Sequence, residues 1–323
     1  MANHGVGELF ILMKISLIIP ILNEAESIID LIETIDRQTL QPNEVIFVDG
    51  GSSDGTTEII RNATFENPLY KITQTFGSSP GKGRNIGIEN AQNEWIALTD
   101  AGIKLDRNWL AALSAEVEKV PDADVVYGNF SPQNNSFFEK CAALSYVPPL
   151  RENTIRGRSV ASMLLRKKVW EEVGGFPDLR AAEDLIFMET IAQKGFKPIF
   201  APDAVIYWHL RPNLLSTFRK FVLYSKHNVL AGRQWDWHYG VLKQYVLVLL
   251  FVILAIVQCW WWSFLPLLWL IMRTAKRIHA HYYEYGLMPL LNPIYFVSIM
   301  FVIIIIDIGT FTGWVQALLL RKD

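Results

Sequence analysis

The sequence predicts an α/β fold, a doubly wound parallel sheet followed by membrane-embedded helices, and three observations carry that expectation. Over roughly the first 210 residues, short β-branched runs alternate with helical patterns, as strands joined by crossover helices require. After Gly240 the composition turns almost wholly apolar. With 323 residues and 51% hydrophobic content, the chain has enough material for one α/β domain and an apolar appendix besides.

Taken in order, residues 1–12 are expected to be an N-terminal extension. The apolar run that leads from them into the first strand lacks the basic start and small-residue cleavage site of a secretory signal. Strands are predicted at residues 15–19, 44–48, 70–73, 95–99, 124–127 and 204–207, and helices at 25–36, 56–62, 83–90 and 108–119. Residues 13–232 then form the α/β domain and 233–323 a membrane-associated helical region. In that region residues 241–272 carry only Lys243 as a charge, and residues 290–320 only Asp307. The intervening linker holds Arg273, Lys276 and Arg277 with aromatics suited to a membrane interface. Two topologies stand open: two simple spans, or a shallow hairpin reversing around Cys259, Trp260, Trp261, Trp262 and Pro266 that returns the basic linker to the cytoplasm. Asp307 is expensive in lipid and is expected to face protein or water.

Charge and cysteine usage exclude several classes. A net charge of −2, from 30 basic against 32 acidic residues, gives no global basic field, so no nucleic-acid partner is expected. Cys141 and Cys259 are too far apart in too different contexts to form a disulfide framework or a metal knuckle, which suits a reducing compartment.

In an open α/β sheet, ligands bind beyond the carboxyl ends of the strands, and the informative motifs lie there. Pro20 closes the first strand, and Asn23 and Glu24 leave polar groups at its mouth, able to hold a ribose or base; Asn23 is equally suited to cap the next helix. The second strand ends in Asp49, followed by Gly50, Gly51, Ser52, Ser53, Asp54, Gly55 and Thr56. Here a carboxylate stands ready for a base N–H, and a glycine turn lets backbone and Ser52 approach a ligand. Asp54 and Thr56 also read as turn and cap residues. No Gly-Lys-Ser/Thr ending makes this a Walker loop. Lys82 and Arg84 at a helix start favour a diphosphate, or serve as ordinary solvated cations. A further strand delivers Asp100 to solvent, followed by Ala101 and Gly102.

These segments resemble, in order and separation, those of family 2 glycosyltransferases with the GT-A fold. The likeness rests on the run from Ser16 to Glu24, that from Val48 to Thr56, the run Gly81-Lys-Gly-Arg-Asn-Ile-Gly87, and the run from Trp95 to Gly102. It continues through Gly157 to Arg166, Trp170, Gly174-Gly-Phe-Pro177 and Ala182-Glu-Asp184, and ends at Trp208-His-Leu-Arg211. The resemblance implies a nucleotide-diphosphate sugar as donor and a divalent cation, magnesium or manganese, held by Asp100 and His209. It makes Asp184 the catalytic base and sets Arg211 at the phosphates. Gly102 departs from the family's Asp-x-Asp segment by replacing its second acid; magnesium tolerates this, since it often takes only one or two carboxylates besides substrate phosphates. Residues 218–224 occupy the place of the Gln-x-x-Arg-Trp box of processive relatives but lack its glutamine and arginine, which implies non-processive transfer.

The expected protein is thus an inverting glycosyltransferase of cell envelope glycan biosynthesis, facing the cytoplasm from the cell or inner membrane. It passes a sugar to a hydroxyl of a lipid-linked or glycan acceptor, with membrane lipid beside it. The alternative is a catalytically silent nucleotide-sugar-binding membrane scaffold, which the loss of an acid at Gly102 favours and retention of Asp184 disfavours. A nucleotidyltransferase would carry a basic glycine-rich signature near its first strand, which is absent.

Overall fold

The structure, a computed structural model, describes residues 13–152 and 154–320. The extension expected over residues 1–12 lies outside the described residues. Strand and helix alternate first as β1 (Ile15–Ile21), α1 (Ile28–Asp36), β2 (Glu44–Asp49), α2 (Thr56–Glu66), β3 (Tyr70–Gln74), α3 (Pro80–Asn90) and β4 (Trp95–Leu98). Next come β5 (Ile103–Leu105), α4 (Trp109–Lys119), β6 (Val125–Gln133), α5 (Phe137–Tyr146), β7 (Met163–Arg166), α6 (Lys167–Val173), α7 (Glu183–Gln193) and β8 (Pro198–His209). The helices that follow are α8 (Leu214–Leu230), α9 (Gln234–Val257), α10 (Phe264–Ala280), α11 (Tyr282–Tyr285), α12 (Met288–Leu291) and α13 (Pro293–Leu320).

The eight strands form one sheet in the order β3-β2-β1-β4-β7-β6-β8-β5. Its first half meets the parallel expectation: β1 pairs parallel with β2 and β4, and β2 with β3. The second half does not. β7 runs antiparallel to β4 and β6, and β5 antiparallel to β8, so the sheet is mixed. Antiparallel neighbours need no crossover helix, so element alternation carries no mark of them. β7, only four residues and almost wholly buried, shows no polar–apolar period either. Along β1 the side chains divide between two cores, as a period of two dictates. Leu17 and Ile19 pack with Leu31 and Ile35 of α1, while Ile18 meets Ile46, Ile88 of α3 and Phe187 of α7.

The chain divides into two units, residues 13–131 with 154–209, and residues 132–152 with 210–320. The division falls after His209 rather than at residue 232, and α5 goes with the second unit. α8 is drawn there by close packing on α13, where Gly309 and Gly313 let the backbones touch. A Cβ on Gly313 would stand 2.2 Å from the Val222 carbonyl oxygen and 2.8 Å from Ser225 Cβ. Ser225 Oγ then donates to the Thr310 carbonyl at 2.6 Å. Gly313→Leu is expected to force these helices apart at a cost of about 1–3 kcal/mol or more; a fall in the thermal midpoint of the detergent-purified protein is the measurement.

The apolar run 241–272 is not one helix. It breaks at Gln258 and Cys259, passes through a short 3-10 turn at Trp260–Ser263, and reverses into α10. Phe251 stacks on Trp262 at 6.0 Å and Tyr245 meets Trp269 edge-on at 5.7 Å, so the arms of this hairpin lie side by side. Two segments, His238–Val257 and Pro293–Leu320, are long and apolar enough to cross a membrane. Asp307 faces protein, as expected: it is 2% exposed, paired with Arg273, and accepts from Tyr245 Oη at 2.7 Å. Arg273 therefore belongs to a buried ion pair rather than to a free basic linker.

Candidate active site

The site is built from the loops that leave the carboxyl ends of β1, β2 and β4, closed by the start of α7. The first two loops interlock. Asn23, at φ +57°, donates its backbone N–H to Ser52 Oγ at 2.9 Å, and its side-chain oxygen accepts from the Ser53 N–H at 2.9 Å. Glu24 N–H donates to Thr56 Oγ1 at 2.9 Å, and Ala25 N–H to Asp54 at 3.0 Å. These bonds explain why α1 begins at Ile28 rather than at residue 25: the backbone before it is committed to the neighbouring loop.

Asp49 is fully buried and accepts from both sides. One oxygen takes the Gly51 N–H at 3.2 Å, the Ser52 N–H at 2.9 Å and Ser52 Oγ at 2.7 Å; the other takes Thr57 Oγ1 at 2.7 Å and Gln74 Nε2 at 3.2 Å. Burial works to raise its pKa, but these donors outweigh it and hold the carboxyl below the ordinary range. Asp49 thus fixes the curve of the loop. Gly51, at φ +100°, and Ser52 are only partly buried and present that loop outward, while Pro20, partly buried, lies within β1 opposite Val48, the strand running on to Ile21 rather than closing at the proline.

Helix α3 starts under a second loop. Ser79 caps it, accepting from the Lys82 N–H at 3.1 Å while donating to Asp178 at 2.6 Å. A Cβ at Gly81 would stand 2.3 Å from the Pro177 carbonyl oxygen and 3.1 Å from Glu183 Cγ, so only glycine lets the helix approach the segment that carries Glu183 and Asp184. Lys82 is exposed, as a phosphate-seeking cation needs to be. Arg84 is not: it is 4% exposed, with one guanidinium nitrogen 2.6 Å from Asp100 and another 2.9 Å from Glu183. Burial opposes its charge, but the two carboxylates more than compensate and keep it protonated. The structure places this side chain among carboxylates, stacked 5.4 Å over the Phe176 ring.

Asn85 lies within the run from Gly81 to Gly87 without a role that the sequence predicts, yet it organises the same segment. Its side-chain oxygen accepts from Trp170 Nε1 at 2.9 Å and from the Phe176 N–H at 2.8 Å, and its amide donates to the Phe176 carbonyl at 2.8 Å. That segment leads through Ala182, at φ +72°, into α7, whose first residues are Glu183 and Asp184. One Glu183 oxygen is held by Arg84; the other is buried without a hydrogen-bond partner. Burial pushes the Asp184 carboxyl above its ordinary value. Arg84 and the Leu185 N–H, which donates to it at 2.8 Å, oppose the shift, and the charge of Asp100 adds to it. Glu183 is raised for the same first reason, burial.

Asp100 emerges from β4 with its side chain 40% exposed. Two residues on, Gly102 has φ +76°, and a Cβ built on it would stand 3.2 Å from Glu24 Oε2. The strand pair Ile103–Trp208 brings His209, which is exposed, to the position across from Gly102. Carboxylate and imidazole donors at this mouth suit a hard divalent ion. Among the described residues no three His, Cys, Asp or Glu side chains form a ready metal cage, so such an ion would draw further ligands from phosphate and water. Arg211 belongs to the second unit, where burial first and the Arg211 charge second bring buried Lys220 down to about 7. Lys220 lies 5.2 Å and 5.4 Å from the Tyr146 and Tyr224 ring centroids, in the stretch that lacks the processive box.

Comparison with known proteins bears on this geometry. The family described as Glycosyl transferase family 2 matches residues 16–174. Glycosyltransferase AglE of Haloferax volcanii is 29% identical over 208 residues, which cover 61% of this chain and 67% of that protein. Across the first curated relatives the matches span between 32% and 67% of the relative's own length. Among solved structures, the mannosyltransferase PcManGT from Pyrobaculum calidifontis, in complex with GDP-Man and Mn2+, superposes with a TM-score of 0.56 at 18% identity, covering 92% of this chain and 87% of that one. S. aureus TarS 1-349 in complex with UDP superposes with a TM-score of 0.52 at 17% identity, covering 93% and 91%. At such identities these structures speak for the fold alone.

Proposed function

The chain carries a family 2 glycosyltransferase domain of GT-A fold, and from that premise we propose that it is an inverting, non-processive enzyme that moves a sugar from a nucleotide-diphosphate donor to a hydroxyl acceptor. The observation that carries this reading is Asp184, set at the start of a helix beside the Arg84–Glu183–Asp100 cluster, where burial raises its pKa above the ordinary value. An inverting displacement needs a carboxylate that takes the proton of the acceptor hydroxyl as its oxygen attacks the anomeric carbon, opposite the leaving diphosphate. Raising the pKa of a carboxylate makes it a stronger base toward that proton.

The donor sits across the β1 and β2 loops. Asn23 and Ser52 face the nucleoside, the curve of the Gly51 loop is held by Asp49, and exposed Lys82 meets the diphosphate. Arg84 works as a positioning residue, orienting Asp100 and Glu183. Asp100 and His209 hold the divalent cation, which supplies charge neutralisation to the leaving diphosphate when bound. The apolar segments His238–Val257 and Pro293–Leu320 anchor the enzyme to the cell or inner membrane with the catalytic domain in the cytoplasm, where a lipid-linked acceptor arrives by diffusion in two dimensions.

The test is thermal stabilisation of the purified full-length protein by UDP-, GDP- and dTDP-sugars with magnesium or manganese. Selective stabilisation by one donor, about 2.7 kcal/mol at a hundredfold excess over Kd, is expected. Stabilisation by none overturns the transferase reading.

A further inference from the structure

Three helices of the second unit meet at Asp307, near the middle of α13, and the contacts around it fix how they cross. Along α9, His238 stacks on Trp314 at 5.0 Å and Tyr245 reaches Asp307, so α9 advances from the C-terminal half of α13 toward its middle. Along α10, Arg273 pairs with Asp307 and Ile278 shares a buried core with Ile299 and Ile303, so α10 advances from that middle toward the N-terminal half. Both arms thus move in the same sense along α13. Yet they run antiparallel to each other, with Tyr245 against Trp269 and Phe251 against Trp262. Two straight antiparallel helices do both only by crossing α13 steeply. Helices that span a bilayer tilt by no more than about 40°, so the hairpin and α13 do not span one membrane together.

Their surroundings decide which of them enters. α13 is lined along one side by α5, where Phe137 meets Tyr295 at 4.7 Å, and by α8, where Phe218 and Val222 close on Gly309 and Gly313. That cover runs from residue 295 to residue 313, about 27 Å at 1.5 Å per residue, nearly the whole hydrocarbon thickness of about 30 Å. An upright α13 would carry exposed Lys140 of α5 and exposed Arg219 of α8 into that layer, Arg219 close to its middle. The opposite side of α13 is apolar and open: Ile294, Phe301, Ile308 and Val315 are exposed and recur every two turns, on a single face. The arms carry no charge between Lys243 and Arg273. Their turn also meets its own backbone needs, as hydrocarbon demands. The Gln258 and Cys259 N–H groups both donate to the Leu254 carbonyl, the Trp262 N–H to the Cys259 carbonyl, and Ser263 Oγ to the Trp260 carbonyl. Beyond Tyr245 and Arg273 the arms extend only about 18 Å and 14 Å, well short of a crossing.

We propose that the chain is held by a single leaflet: α13 lies in the plane of the membrane with its open face against lipid acyl chains, and the α9–α10 hairpin dips into the bilayer and returns without crossing it. Both ends of the hairpin and both ends of α13 then share the face on which the α/β domain stands. The inference goes beyond the transferase reading and does not depend on it.

The test uses the full-length protein carrying one tag at each terminus, in bacterial spheroplasts and in inverted membrane vesicles. An added protease is expected to remove both tags from the same face and neither from the other. Cys259 supplies the second readout, since it is exposed while Cys141 is buried. A membrane-impermeant maleimide is expected to leave Cys259 unlabelled from either face and to label it once detergent is added. Removal of the two tags from opposite faces overturns the in-plane placement of α13. Labelling of Cys259 from either face without detergent overturns the shallow hairpin, and release of the protein from membranes by alkaline carbonate overturns both. Donor binding is read separately by nucleotide stabilisation, so each of these results leaves the transferase reading standing.

Discussion

Asp184→Asn is expected to lower the transfer rate by about 10²–10⁴-fold, the usual worth of a general base, while leaving donor binding and its metal dependence near wild type. The amide keeps the size of the side chain but cannot take the acceptor proton. The same substitution is expected to stabilise the protein at neutral pH, which a merely structural acid would not do. The sign follows from the direction of the shift. Burial holds the folded-state pKa of Asp184 above its ordinary value of 3.8, so between those two values the folded chain binds more proton than the unfolded chain. Stability falls as pH rises through that window, and above it the ionised carboxylate remains a standing cost. Asparagine removes the cost. The gain in thermal midpoint is therefore expected at pH 7 and should vanish below about pH 4, where aspartate is protonated in both states. In the wild type, kcat/KM should fall on acidification with an apparent pKa above 3.8. A variant with near-normal turnover, or one less stable at pH 7 than the wild type, would remove Asp184 from the role of base.

What could be read from the sequence and what could not divides by the range of the interaction. The ends of β1 and β2 were legible because each is a local code: an apolar strand, then Pro20 or Asp49, then turn residues whose backbone demands are met within a few positions. The apolar helices were legible by composition, whereas the break at Cys259 was only one of two topologies that composition left open. The antiparallel half of the sheet was not, because β7 is four almost wholly buried residues whose paired residues in β4 and β6 lie 36 or more positions away. Arg84 shows the same limit within the site. Its place at a helix start suggests a phosphate ligand; its burial depends on Glu183, 99 residues on. The gap at Gly102 read as a loss in one dimension. Only the fold places the Glu24 carboxylate beside it, and only the strand pair Ile103–Trp208 carries His209 to the same mouth.

Arg84 is the residue whose removal is expected to cost most in stability. It is the cation that the Glu183 side chain, 7% exposed, pairs with, and it also holds Asp100. Arg84→Ala leaves a buried carboxylate uncompensated beside Asp184, at a cost of about 3–5 kcal/mol, a large share of the 5–15 kcal/mol that holds a typical domain together. Soluble yield and thermal midpoint should both collapse. Arg84→Lys keeps the charge but presents one ammonium where two guanidinium nitrogens serve two carboxylates. It should fold with a lowered midpoint and lose activity through kcat more than through KM, since the acids that face the reacting groups are released while the nucleoside contacts remain. Replacing both partners of the buried pair, Arg84→Met with Glu183→Leu, separates the two contributions. With no charge left unpaired, much of the stability should return, as it does when buried ion pairs give way to apolar residues of similar volume. Activity should not return, because Asp100 and Asp184 would then sit in a site without the cation that sets their positions and tempers their mutual repulsion. A double variant that recovers turnover together with stability would reduce Arg84 to a packing element; one that recovers stability alone identifies it as the residue that holds the acids of this site in register.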